Sequence, residues 1–86
     1  MRILLVEDDV LLGDALQVGL RSAGFVVDWV KDGVAADAAL AGEEFAAVVL
    51  DLGLPRMSGL ELLRRLRDAG NRTPVVILTA RDAVED

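Results

Sequence analysis

Four apolar runs alternate along this chain with segments of helical periodicity. The runs cover residues 2–6, 25–30, 45–50 and 74–79. All but the second are almost continuously apolar, which is typical of strands covered by helices on both faces. Asp28 interrupts the second run, so we place that strand at an edge of the sheet, where Phe25 and Trp29 are interpreted as packing residues.

Three helices are predicted between these runs. The first begins after Asp9, whose carboxylate is suited to cap it. Its apolar positions recur on one face and comprise Leu12, Ala15, Leu16, Gly19 and Leu20. The second covers about residues 34–40, and the third begins near Ser58, with Glu61 completing a capping box. This alternation of strands and helices predicts an α/β fold built on a mostly parallel sheet.

Length and charge restrict the function classes. A chain of 86 residues is predicted to form one small domain, 1–86. The net charge of −6, with eight Arg and one Lys scattered along the chain, argues against a nucleic-acid surface. The N-terminus resembles neither a signal peptide nor a membrane span, so we expect a cytoplasmic protein without membrane contact.

Acidic residues follow two of the apolar runs at the point where each strand ends. Glu7 and Asp8 follow the first run, Asp51 follows the run 45–50, and Thr79 ends the last one. In a parallel sheet these side chains meet at one edge, where neighbouring carboxylates repel one another unless a cation is present. Because the chain has no Cys and no His, that cation must be held by oxygen, which favours magnesium, calcium or manganese. The pattern predicts a metal-assisted phosphoryl site with an aspartate as nucleophile.

Three segments carry a family resemblance. They are ILLVEDD at residues 3–9, VLDLGLPRMSG at 49–59 and VILTAR at 76–81. In this order and spacing they resemble the receiver domain of bacterial two-component response regulators. The sequence around Asp51 and after Thr79 is most similar to that of the subfamily with a C-terminal winged-helix DNA-binding domain.

The resemblance implies a doubly wound, flavodoxin-like parallel sheet. The family's strand order is 2-1-3-4-5, with the site at the switch point between strands 1 and 3. We expect order 2-1-3-4 for this chain, because strand 5 and the last helices of the family would lie beyond residue 86. The chain therefore resembles a receiver domain truncated before strand 5.

The resemblance also implies the roles of the acidic residues. Asp51 would be the phosphoacceptor, and the donor would be a sensor histidine kinase. Glu7 and Asp8 would hold Mg²⁺ or Mn²⁺ together with Asp51 and the backbone carbonyl of Gly53. The domain would be a signalling component that switches a transcriptional output, and not an enzyme.

Further phosphate contacts are implied at the end of the fourth strand. The Thr79 hydroxyl and the Ala80 amide would bind the phosphoryl oxygens. The family has an essential lysine at the end of strand 5, whereas the single lysine of this chain, Lys31, follows strand 2. Lys31 would lie on the far side of strand 1 from Asp51, and we do not expect it to replace the family's lysine.

The missing lysine keeps an alternative function open. In that alternative the chain is a non-switching receiver fragment that cannot complete phosphotransfer. It would associate through the exposed edge of strand 4, as a homodimer or a segment-exchanged oligomer. Two other classes are disfavoured: a phosphatase needs a second acid where Gly53 stands, and a nucleotide site needs a glycine-rich loop where Glu7 and Asp8 stand.

Overall fold

The computed structural model describes residues 1–78 and contains four strands and three helices in that range. In chain order they are β1 (Arg2–Val6), α1 (Val10–Ser22), β2 (Val26–Val30), α2 (Gly33–Gly42), β3 (Ala47–Asp51), α3 (Gly59–Asp68) and β4 (Val75–Leu78). Strands and helices alternate strictly, as the sequence predicted. No helix in the described part of the chain combines the length and the apolarity needed to cross a membrane.

The four strands form one parallel sheet in the order β2-β1-β3-β4. This confirms the predicted α/β fold, its doubly wound topology and the strand order 2-1-3-4. β1 and β3 are the inner strands, and β2 lies at an edge, as the Asp28 interruption indicated. The order reverses between β1 and β3, since the chain moves first to one side of β1 and then to the other.

The apolar runs of the inner strands are buried because helices cover both faces there. The prediction that the run forming β4 is covered in the same way is wrong within the described residues, since Val76 and Ile77 are exposed. Leu4, Leu5 and Val6 have no exposed surface. The main core lies between the sheet and helices α2 and α3, and its buried members are Leu4, Val6, Ala36, Leu40, Phe45, Val48, Leu50, Leu54, Leu62 and Leu66. The core thus fixes β1 and β3 side by side, with their carboxyl ends at one edge of the sheet.

Helix α1 contacts the sheet through a face that shares only Leu16 and Leu20 with the predicted one. Its cap is as expected, since the Asp9 carboxylate accepts hydrogen bonds from two amides of the first turn. Gly13 is the buried residue of α1, and the partly buried positions that follow it at helical spacing are Leu16, Gln17 and Leu20. The predicted positions Leu12, Ala15 and Gly19 are exposed. The helix is rotated because the Trp29 ring packs at Gly13, where the absence of a side chain allows close approach.

The cap of α3 follows the predicted pattern in part. The Ser58 hydroxyl accepts a hydrogen bond from the Glu61 amide at 3.2 Å. The Glu61 carboxylate, which a capping box would direct at the Ser58 backbone amide, is paired with Arg64 at 2.6 Å. Leu62 and Leu66 are buried and Leu63 packs against the core, as predicted for the inward face of this helix.

Arg56, in the loop between β3 and α3, has a φ angle of 71°. This left-handed conformation costs a residue with a Cβ about 1–2 kcal/mol. Arg56 is exposed and lies 3.8 Å from Asp32, so the ion pair that it forms contributes little. We expect Arg56→Gly to raise the free energy of unfolding by about 0.5–1 kcal/mol, after allowance for the greater backbone freedom of Gly in the unfolded chain. Urea denaturation measures this change, and a loss of stability would contradict it.

Candidate metal centre

The carboxyl ends of β1 and β3 bring three acidic side chains together. Val6 pairs with Leu50, so Glu7 and Asp51 follow in register on neighbouring strands. Glu7, Asp8 and Asp51 each offer a carboxylate oxygen, and these oxygens all lie within 4.8 Å of one another. The structure therefore places side by side the three acids that the sequence prediction grouped.

Burial makes this cluster electrostatically unfavourable without a cation. Glu7 is 2% exposed and Asp51 is 7% exposed, whereas Asp8 lies at the surface. Two unit charges at this separation repel by roughly 3–4 kcal/mol at an effective dielectric constant of about 20. Burial raises the pKa of Glu7 above its ordinary value, and the Asp51 and Asp8 charges add to that rise against the opposing hydrogen bond from the Asp9 amide. A divalent cation would remove the repulsion.

The hydrogen bonds of Glu7 are compatible with a metal ligand. Its Oε2 accepts the Asp9 amide at 3.0 Å. Its Oε1 is buried and has no hydrogen-bond donor among the described residues. A buried carboxylate oxygen without a partner is costly in a folded protein. A cation coordinated at this point would satisfy it, and oxygen ligands are those that Mg²⁺ prefers.

The loop after β3 holds the Asp51 side chain and lets α3 begin beside it. The Gly53 amide donates to Asp51 Oδ1 at 3.3 Å. The Gly59 amide donates to the Leu52 carbonyl at 3.0 Å, and a Cβ at Gly59 would lie 2.6 Å from Leu52 Cα and 2.7 Å from the Asp51 carbonyl oxygen. Only a glycine permits this approach, so Gly59 brings the first turn of α3 next to the acidic cluster.

Two predicted site residues, Thr79 and Ala80, lie outside the described residues, and their phosphate-binding roles stay predictions. The metal-binding role of the Gly53 carbonyl is also still a prediction. Lys31 follows β2, which β1 separates from β3, and its ammonium group lies 5.1 Å from the centre of the Trp29 ring.

One contact at this site was missed by the sequence analysis, which treated Trp29 as packing. The indole nitrogen of Trp29 donates to the Glu7 backbone carbonyl at 2.9 Å. The apolar runs 2–6 and 25–30 differ in length by one residue, so the sequence does not fix their register. In the structure Leu5 pairs with Trp29, which sets the indole two residues before Glu7.

Comparison with known proteins agrees with this geometry. The family described as the response regulator receiver domain matches residues 3–86. The chain is 62% identical over 86 residues to the response regulator protein PmrA of Pseudomonas aeruginosa and 52% identical over the same length to the transcriptional regulatory protein QseB of Escherichia coli O157:H7. Each match covers 100% of this chain and 39% of the relative. The chain thus spans about two-fifths of the length of these curated relatives.

Solved structures show the same fold. The receiver domain of a sensor histidine kinase from Pseudomonas aeruginosa, with a magnesium ion coordinated in its active-site cleft, superposes with a TM-score of 0.92 at 33% identity, over 99% of this chain and 71% of that one. The response regulator TrrA of Thermotoga maritima, in complex with Mg²⁺ and BeF, gives a TM-score of 0.89 at 27% identity, over 98% and 73% of the two chains. The chain belongs to the family of response regulator receiver domains.

Proposed function

We propose that this receiver domain accepts a phosphoryl group on Asp51 from a sensor histidine kinase, with Mg²⁺ held by Glu7, Asp8 and Asp51. The observation that carries the proposal is the acidic cluster, in which carboxylate oxygens lie within 4.8 Å of one another and Glu7 Oε1 is buried without a donor in the described range. The name of the relative QseB supports a transcriptional output, which we place in the cytoplasm. The domain acts as a signalling component whose acceptor is itself modified.

The chemistry is a substitution at phosphorus. An oxygen of the Asp51 carboxylate forms a bond to phosphorus while the bond from phosphorus to the donor imidazole nitrogen breaks. The product is an acyl phosphate, and the imidazole keeps the electron pair and takes up a proton from solvent. Bound Mg²⁺ supplies the positive charge that offsets the charge of the phosphoryl oxygens and of the acids.

The residues of the chain position the acceptor. The core strand β3 carries Asp51 at its carboxyl end, and the Gly53 amide limits rotation of its carboxylate. Glu7 and Asp8 would share the cation with Asp51 and the Gly53 carbonyl. Thr79 and the Ala80 amide would contact the phosphoryl oxygens and respond to the new charge.

Acetyl phosphate tests the proposal without a kinase. The purified chain is incubated with acetyl phosphate, with and without Mg²⁺, and its intact mass is measured. We expect a gain of one phosphoryl group only when Mg²⁺ is present. A folded sample that gains no mass would contradict the proposal and favour the non-switching alternative.

A second copy of the chain is the other proposed partner. β4 is an outer strand of the sheet formed by residues 1–78, and Val76 on it is 55% exposed. An apolar outer strand can pair with another chain, and a lysine on such a strand opposes pairing. We expect light scattering to show a dimer at high concentration and Val76→Lys to shift it to monomer. A monomeric wild-type protein would contradict this.

A further inference from the structure

The peptide groups on both sides of Glu7 are hydrogen-bonded to β2. The Glu7 amide donates to the Val30 carbonyl at 3.1 Å, which continues the pairing of β1 with β2. The Glu7 carbonyl accepts the Trp29 indole N–H at 2.9 Å. The donor of this second hydrogen bond is a side chain. It links β2 to the peptide group that follows the end of the β1–β2 pairing.

The peptide group that Trp29 contacts joins Glu7 to Asp8. Because a peptide group is planar, fixing its carbonyl also fixes the direction in which the next residue leaves it. Asp8 is exposed, and the loop that it begins leads into α1. The indole N–H therefore constrains the stretch of backbone from which two of the three acids project.

The Trp29 ring is itself held in place by α1. A Cβ built at Gly13 would lie 2.5 Å from Trp29 Cε2 and closer still to Cζ2, so the ring rests directly on the helix backbone. The Lys31 ammonium group lies 5.1 Å from the ring centre, within the range of a cation–π contact. An aromatic ring with two such neighbours presents its N–H in one direction.

We propose that Trp29 is a positioning residue for the acidic site, holding the Glu7–Asp8 peptide group in the orientation that metal binding needs. This rests on the proposed function, in which Glu7, Asp8 and Asp51 bind Mg²⁺. Trp29 does not itself bind the metal, because its indole nitrogen is a donor only. It acts by reducing the freedom of two ligands before the cation arrives, which lowers the cost of ordering them on binding.

Trp29→Phe separates this role from simple packing. Phenylalanine keeps an aromatic ring on Gly13 but has no N–H for the Glu7 carbonyl. The matched control is Val27→Ala, which removes a buried side chain two residues earlier on β2, on the same face of the strand. Both variants lose packing, but only Trp29→Phe loses the hydrogen bond at the site.

Titration calorimetry with Mg²⁺ alone gives the decisive readout. We expect Trp29→Phe to weaken Mg²⁺ binding about tenfold, the usual effect of losing a group that orients a metal ligand. The Mg²⁺ concentration for half-maximal labelling by acetyl phosphate should rise by about the same factor, while the rate at saturating Mg²⁺ stays within about twofold. Val27→Ala should lower the melting temperature and leave the Mg²⁺ affinity unchanged.

Gly13→Ala provides a second variant that alters neither Trp29 nor any acid. Its methyl group would displace the ring, and it should weaken Mg²⁺ binding although alanine favours the helix. If wild type binds Mg²⁺ and both Trp29→Phe and Gly13→Ala bind it equally well, the positioning role is wrong and the proposed function stands. If Val27→Ala weakens binding as much as they do, the effect is one of stability and the role is also wrong. If folded wild type binds no Mg²⁺, the proposed function fails, and this inference fails with it.

Discussion

Asp51→Asn is expected to abolish phosphoryl uptake from acetyl phosphate while leaving the domain folded. The amide is a far poorer nucleophile than the carboxylate that it replaces, and it carries no charge to hold a cation. Because Asp51 is buried within 4.8 Å of the Glu7 carboxylate, removing its charge also removes a repulsion. The variant should therefore remain folded. Intact mass and circular dichroism measure the two effects.

Asp68→Asn is the matched control for this variant. Asp68 is exposed in the last turn of α3, so the substitution makes the same chemical change away from the acidic cluster. It should retain full labelling. Labelling of Asp51→Asn at the wild-type level would show that another side chain is the acceptor and would overturn the role proposed for Asp51.

The acidic cluster could be predicted because it depends only on where strands end. An apolar run of five or six residues marks a buried strand, and parallel strands bring their carboxyl ends to one edge. Glu7, Asp8 and Asp51 follow such runs directly, so their proximity required no knowledge of side-chain packing. The apolar runs alone do not show that β1 and β3 are neighbours. That adjacency was predicted from the strand order of the family that the chain resembles.

The face of α1 could not be predicted in the same way. Two adjacent faces of this helix are apolar, and periodicity alone does not show which of them meets the sheet. The choice depends on the partner surface, where the Trp29 ring projects and only Gly13 permits contact. Because glycine has no apolar side chain, the hydrophobic pattern of α1 does not mark Gly13 as a contact position. The orientation of α1 depends instead on the contact between Gly13 and Trp29, which lie far apart in sequence.

The hydrogen bonds around Glu7 could not be predicted from the sequence pattern either. Which oxygen of a carboxylate meets an amide depends on the side-chain rotamer and on the course of the loop. The Asp9 residue illustrates both cases: its carboxylate caps α1 as predicted, while its amide donates to Glu7 Oε2, a contact that no spacing rule indicated. The partnerless Glu7 Oε1 follows from the same local geometry.

Glu7→Gln is expected to raise stability without metal and to weaken Mg²⁺ binding. The neutral amide removes a buried carboxylate that lacks a partner on Oε1 in the described range, and its NH₂ group can donate to the neighbouring acids. We expect a gain of about 1–2 kcal/mol at pH 7, or about 5–10 °C in melting temperature. Mg²⁺ should then stabilise wild type markedly and the variant little, since ligand stabilisation scales with affinity.

The pH dependence of this gain has a definite sign. Because the pKa of Glu7 is raised above its ordinary value of 4.5, the folded protein binds this proton more tightly than the unfolded chain does. Wild type therefore loses stability, relative to the variant, as the pH rises from the ordinary pKa through the raised one. The advantage of Glu7→Gln should grow as the pH rises through the raised pKa and should vanish well below the ordinary one.

Glu44→Gln makes the same change at an exposed position between α2 and β3, and should alter neither the melting temperature nor the response to Mg²⁺. A Glu7→Gln protein that is less stable than wild type at pH 7 without metal would show that the Glu7 carboxylate is already well compensated. Repulsion among the buried carboxylates would then be too weak to favour the binding of a cation. If Glu7→Gln keeps the full stabilisation by Mg²⁺, Glu7 is not a metal ligand and the ion is held by Asp8 and Asp51.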